Sequence, residues 1–348
     1  MDSTEQVTFI TGLLERFSPT WSETPAVEYM ADWMKQQGYR VQIDEAGSVI
    51  GSLGDGPREI LLLGHIDTVA GIVPVRQEND LLYGRGAVDA KGPLACFAIA
   101  GAICKVQPGW KITVIGAVGE EGDSRGAKLV RDRMRPDCCI IGEPSGWDHI
   151  TLGYKGSAWF EYTVTRPLTH TAGQAESACE AAVQFWNRFQ AAAADFNNGR
   201  TRAFDQLTTS LREMKSSEDG FSQSASLVFN LRLPPDLSVA QVNQMIENIR
   251  GDGKLVQTDG IECYRGEKNS ALVRAFLSAI REENGKPGFL VKTGTSDMNI
   301  VGPVWNVPIL AYGPGDSNLD HTPQEHVSIE EFLTGIRVLT RVLEILQQ

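Results

Sequence analysis

Three short, nearly uninterrupted apolar runs constrain this chain most: residues 60–63 (ILLL), 112–118 (ITVIGAV) and 138–141 (CCII). A strand with one wet face alternates in polarity, whereas a strand covered on both faces is apolar throughout. These runs therefore read as buried parallel strands. Residues 93–106 and 124–134 lie between them and read as crossover helices, the connection that parallel strands need. Upstream, residues 25–37 have helical apolar spacing, follow Thr24-Pro25 as cap and first-turn pair, and stop near Gly38. The pattern is α/β with a mostly parallel sheet.

Near residue 155 the texture changes. Residues 157–165 and 224–233 read as strands, 176–194 and 239–250 as helices, and 254–263 as a further strand. These three strands and two helices fit a strand–helix–strand–strand–helix–strand order with one strand unassigned, and predict a small α+β, ferredoxin-like module within the usual domain size range. The α/β texture then returns, with a helix at 271–283, a strand at 307–312 and a final helix opened by a capping box of Ser328 and Glu331. The expected organisation is one domain of residues 1–154 and 264–348, interrupted by a second of residues 155–263. A length of 348 residues accommodates two such domains.

The formal net charge of −12 makes nucleic acid a poor partner. The amino-terminal residues Met-Asp-Ser-Thr-Glu-Gln lack the basic start of a secretion signal, and no apolar run approaches the ~20 residues that cross a bilayer. Six cysteines without a C-x-x-C pair, most of them in apolar stretches, read as reduced core residues. A cytoplasmic protein with no membrane contact is expected.

The chemistry-bearing residues cluster just beyond the carboxyl ends of the expected strands, where open α/β sheets place their sites. His65 and Asp67 project to one side of an extended segment. His65 could bind a metal with Asp67 orienting it or a neighbour, or it could be a hydrogen-bonded histidine at a strand end. Residues 84–92 (GRGAVDAKG) fail the dinucleotide pattern because Asp89 stands at the third glycine position. Asp89 reads as a metal ligand or as a helix-capping loop residue. Glu120 and Glu121 follow the strand at 112–118, and two adjacent carboxylates there are costly without a cation or solvent. Glu143 follows the strand at 138–141, and His321 lies in a loop beyond 307–312. Mixed histidine and carboxylate ligands suit zinc or cobalt better than calcium or magnesium.

The segments GHIDTV (64–69), GRGAVDAKGPL (84–94), GEEG (119–122), GEPS (142–145) and DHTPQEHV (320–327) together resemble the two-zinc family of acetylornithine deacetylase, succinyl-diaminopimelate desuccinylase, aminoacylase and carboxypeptidase G. The resemblance implies a catalytic dizinc domain with an inserted lid or dimerisation domain, and a homodimer. It implies that His65 and Glu143 bind one zinc, Glu121 and His321 the other, and that Asp89 bridges both. Cobalt could replace zinc. Glu120 would be the general base, with Asp67 supporting His65. His170 would complete the oxyanion site from the lid, although its surroundings depart from the usual serine- and proline-rich wording. Arg232 would grip a substrate carboxylate.

Within that family, residues 86–94 and 292–299 (KTGTSDMN) are similar to the branch of LysW-lysine and LysW-ornithine hydrolases. These release the amino acid from the glutamate tail of a small acidic carrier protein in lysine and arginine biosynthesis. Thr293, Thr295 and Asp297 would then line the substrate pocket. The alternative is a deacetylase of N-acetylornithine or N-acetyl-lysine, or a desuccinylase of succinyl-diaminopimelate, acting on a free N-acyl amino acid. Residues 125–135 (RGAKLVRDRMR) offer five basic residues and one acid as a docking patch for an acidic carrier, or simply a solvated helix face.

Overall fold

The computed structural model describes residues 1–170, 172–173 and 175–348. The chain divides into two compact units, one of Met1–Gly153, Gly266–Val291 and Ser296–Gln348, the other of Tyr154–Arg265 with Lys292–Thr295.

The first unit is built on a mixed sheet. From one edge its strands run Arg40–Ile43, Val49–Gly54, Trp110–Ala117, Arg58–His65, Cys138–Gly142, Ile309–Tyr312 and His149–Tyr154. The middle four are mutually parallel, and the flanking strands are antiparallel. Ile60, Leu61, Leu62 and Leu63 are all fully buried, which explains the unbroken apolar run. Helix Lys91–Ile103 is apolar all round because the sheet and helix Ile329–Leu346 both pack against it.

Gly64, Gly116 and Gly142 align across three neighbouring strands at their carboxyl ends. A Cβ at Gly64 would lie 3.3 Å from the Leu94 side chain, and one at Gly142 would lie 3.0 Å from Cα of Gly64 and 3.1 Å from the Phe97 ring. The bare backbone is therefore what lets helix Lys91–Ile103 sit close to the sheet. Gly142→Val is expected to destabilise the fold by about 1–3 kcal/mol through overpacking. An unchanged urea midpoint would show that the contact relaxes freely.

The final helix corrects one expectation. The Ser328 hydroxyl accepts the Glu331 N–H (3.1 Å), but the reciprocal half of the capping box is absent. The Glu331 carboxylate instead accepts the N–H groups of Trp147 (3.2 Å) and Gly315 (3.0 Å).

The second unit is a four-stranded antiparallel sheet ordered Thr208–Glu218, Ser222–Leu233, Gly156–Pro167, Lys254–Ile261, with helices Ala178–Asn197 and Val239–Glu247. This is the ferredoxin-like arrangement. The aromatic residues Phe160, Tyr162, Phe185, Phe189 and Phe229 fill its core. Among the described residues, no helix is long and apolar enough to cross a membrane.

Candidate metal centre

Five loops of the first unit converge beyond the carboxyl ends of its parallel strands. His65 ends strand Arg58–His65 and is 1% exposed. Its Nδ1 faces the backbone carbonyl of Asp67 at 2.9 Å, so a proton on Nδ1 leaves Nε2 free to ligate. That Nε2 lies 3.1 Å from Asp89 Oδ1 and 4.0 Å from a Glu143 carboxylate oxygen. On the other side, His321 Nε2 lies 3.0 Å from Asp89 Oδ2 and 2.9 Å from Glu121 Oε1. Asp89 thus straddles two histidines, one on each carboxylate oxygen. Two ligand groups result, His65–Asp89–Glu143 and Asp89–Glu121–His321, each with its donor atoms within 4.8 Å of one another.

The charges need a cation. Burial alone would lower the His65 pKa, yet hydrogen bonds to Asp67 and Asp89 and the field of Glu120 raise it well above the ordinary imidazole range. Hydrogen bonds to Asp89 and Glu121 push His321 up to about 10. Burial works to raise Asp89, but both histidines together hold its carboxyl well below the usual carboxylate range. Each Nε2 therefore faces carboxylate oxygens of two residues, where a cation would offset their charge. Imidazole nitrogens and carboxylate oxygens in two groups sharing one aspartate are a donor set that fits a pair of divalent metal ions.

Asp67 does more than support His65. It is fully buried, and its Oδ1 accepts the Glu120 N–H (3.0 Å) while Oδ2 accepts the Glu121 N–H (3.1 Å). It thereby anchors the turn that carries both acids. The Thr20 hydroxyl also donates to Oδ2 (2.7 Å), a partner that nothing in the sequence around Thr20 announces. Glu120 is half-buried; burial and the fields of Glu143, Asp297 and Glu121 push its pKa well up, against the opposing pull of His65.

Three further residues shape the site and were not legible as such. Glu325 is completely buried with its carboxylate against the loop that carries Asp89. Arg85 pairs with it at 2.7 Å. Lys91 is buried too and donates to the carbonyls of Leu13 (3.3 Å) and Arg16 (2.7 Å), fastening the start of helix Lys91–Ile103 to the end of helix Ser3–Glu15. Burial pushes its pKa down to about 7.

Asp297 opens helix Asp297–Trp305 and is 2% exposed, among the fields of His65, Asp67 and Lys128. Burial pushes its pKa up to about 7. The remaining candidates lie in the second unit. His170 is exposed and its Nδ1 accepts the Ala172 N–H (3.1 Å). Arg232 donates to the Thr295 hydroxyl (3.3 Å), and Thr293 is exposed nearby in sequence.

The basic run at 125–135 is partly neutralised by neighbouring carboxylates. Arg125 pairs with Glu23, Arg131 with Asp132 and Arg133 with Glu45, while Lys128 and Arg135 donate to backbone carbonyls. Three of the five cations thus sit beside carboxylates, while Lys128 and Arg135 keep their charge.

Residues 61–345 match the model of peptidase family M20/M25/M40. The chain belongs to this family. It is 43% identical over 330 residues to the LysW-lysine hydrolase of Deinococcus radiodurans, covering 92% of this chain and 91% of that one. It is 40% identical over 345 residues to a putative LysW-lysine/LysW-ornithine hydrolase of Thermococcus kodakarensis, covering 99% and 93%. Among solved structures, an M20 family metallo-carboxypeptidase from Sulfolobus solfataricus shares the fold with a TM-score of 0.79 at 16% identity, with both chains covered in full. The protein is therefore a hydrolase of the M20 metallopeptidase type, and the family implies a divalent metal.

Proposed function

We propose that this M20-family chain is a cytoplasmic two-zinc hydrolase that frees lysine or ornithine from the glutamyl tail of a small acidic carrier protein. The observation that carries the reading is the straddling position of Asp89 between His65 and His321, joined to near full-length similarity to hydrolases of that name. His65 and Glu143 would hold one zinc, Glu121 and His321 the other, and Asp89 would belong to both. Cobalt would serve in their place.

The divalent ions that His65, Glu143, Asp89, Glu121 and His321 would hold would supply a lowered water pKa and polarisation of the scissile carbonyl. Glu120, as the carboxylate, would take a proton from the attacking water as its oxygen adds to the amide carbon. It then delivers the proton to the leaving nitrogen, which also receives the second proton of the water, so that one water is consumed and one carboxylate and one ammonium group are released. Asp67 holds the backbone from which Glu120 reaches, and keeps His65 in the tautomer that leaves Nε2 unprotonated. Arg232, beside Thr295, would bind a substrate carboxylate, with Thr293 in the same pocket. Asp297 would belong to the same substrate-binding set. His170 would steady the developing oxyanion, acting across a homodimer formed through the inserted domain.

The deciding assay compares carrier-linked lysine, carrier-linked ornithine, N-acetylornithine and N-succinyl-diaminopimelate on zinc- or cobalt-loaded protein. A kcat/KM at least tenfold higher for a carrier-linked substrate is expected. Preference for a small acylated amino acid would overturn the carrier assignment and leave the metal centre intact.

A further inference from the structure

The glycine-rich loop at 84–90 has the look of an anion cradle, and it is one, but the anion is supplied by the chain itself. One oxygen of Glu325, Oε1, accepts the N–H groups of Gly86 (3.0 Å), Val88 (3.0 Å) and Asp89 (3.1 Å). The other, Oε2, accepts from Arg85 Nη1 (2.7 Å), and the backbone carbonyl of Glu325 accepts the Gly84 N–H (3.3 Å). Converging N–H groups of this kind form a concavity that favours negative charge. Gly86 contributes the left-handed conformation that turns its neighbours inward, at φ +91°. A carboxylate completely buried here has little freedom, and the loop gathered around it has little more.

Two features make this arrangement matter for chemistry. Asp89, the last residue of the cradle, must aim one carboxylate oxygen at each of two histidines, so a small rotation of its backbone spoils both groups at once. His321 lies only four residues before Glu325, itself in a left-handed backbone conformation at φ +62°. One short segment therefore supplies both a ligand and the clamp that sets the neighbouring ligand loop.

We propose that Glu325 is a positioning residue for the metal centre, setting zinc affinity by fixing the backbone from which Asp89 reaches His65 and His321. The proposal rests on the two-zinc reading. The charge of Glu325 balances Arg85, but its positioning role resides in the acceptor oxygen that the three N–H groups share.

Two double variants separate these contributions without leaving a buried charge unpaired. Arg85→Met with Glu325→Gln keeps a neutral acceptor for the loop. Arg85→Met with Glu325→Met removes the acceptor and leaves a side chain of similar length. Zinc affinity is read by competition with a chromophoric chelator, cobalt occupancy by the visible spectrum, and thermal stability on the metal-free proteins. The glutamine pair is expected to bind zinc within about threefold of wild type, and the methionine pair roughly 10- to 100-fold more weakly, as losses of ligand-orienting partners do. Equal affinities in the two pairs would overturn the proposal. Should the methionine pair fail to fold, Glu325→Asp, which withdraws the carboxylate by one methylene, is expected to weaken zinc binding, and an unaltered affinity would overturn the proposal equally. Fewer than two zinc ions per wild-type chain would instead reject the two-zinc reading itself.

Discussion

Glu120→Gln is expected to retain the wild-type zinc content while amide hydrolysis slows roughly 10²- to 10⁴-fold, the range that a positioned acid–base group supplies. Its backbone N–H stays on Asp67 whatever the side chain, so the turn and the neighbouring ligand candidate Glu121 are preserved. Glutamine is close to isosteric but can neither accept nor deliver the proton. Zinc analysis and kcat on the same preparation decide the matter. Full activity would remove Glu120 from the role of base, and loss of zinc would make it a ligand.

A larger failure is expected of Asp89→Ala. Removing a carboxylate that belongs to both ligand groups leaves each with only two protein ligands, and the bound zinc should fall from two per chain to none under dialysis. Glu121→Ala, which touches one group, should lose one zinc only. Retention of a full zinc in the Asp89 variant would show that the two positions do not share this residue. Activity should fall to background in either case, so metal analysis is the discriminating measurement.

Much of this was readable in the sequence because buried parallel strands announce themselves. The ILLL run at 60–63 lies within the strand that ends in His65, and CCII lies within the one that precedes Glu143. What escaped notice follows a common physical cause. Strand Thr208–Glu218 is polar and exposed at a sheet edge, so it carries no hydrophobic period. Thr20, Arg85 and Glu325 act through hydrogen bonds to partners 47, 240 and up to 240 residues away, and no local pattern encodes such pairings. The partial pairing of the basic run at 125–135 was hidden for the same reason, since Glu23 and Glu45 are distant in sequence.

The glycine row bears on how the protein matures in the cell. Gly64 and Gly142 pair in register, and each is followed immediately by a metal-ligand candidate, His65 and Glu143. The spacing of these two side chains is therefore fixed by the hydrogen-bond ladder, and a slip of one residue would turn them to opposite faces of the sheet. Parallel pairing of distant strands is a late and slow event in folding. A nascent chain thus has no high-affinity place for the ion until its central strands have zipped correctly, and capture of the ion then stabilises only the correctly paired form. Under the two-zinc proposal, an ion would favour the correctly registered sheet, because a misregistered one would not bring His65 and Glu143 together.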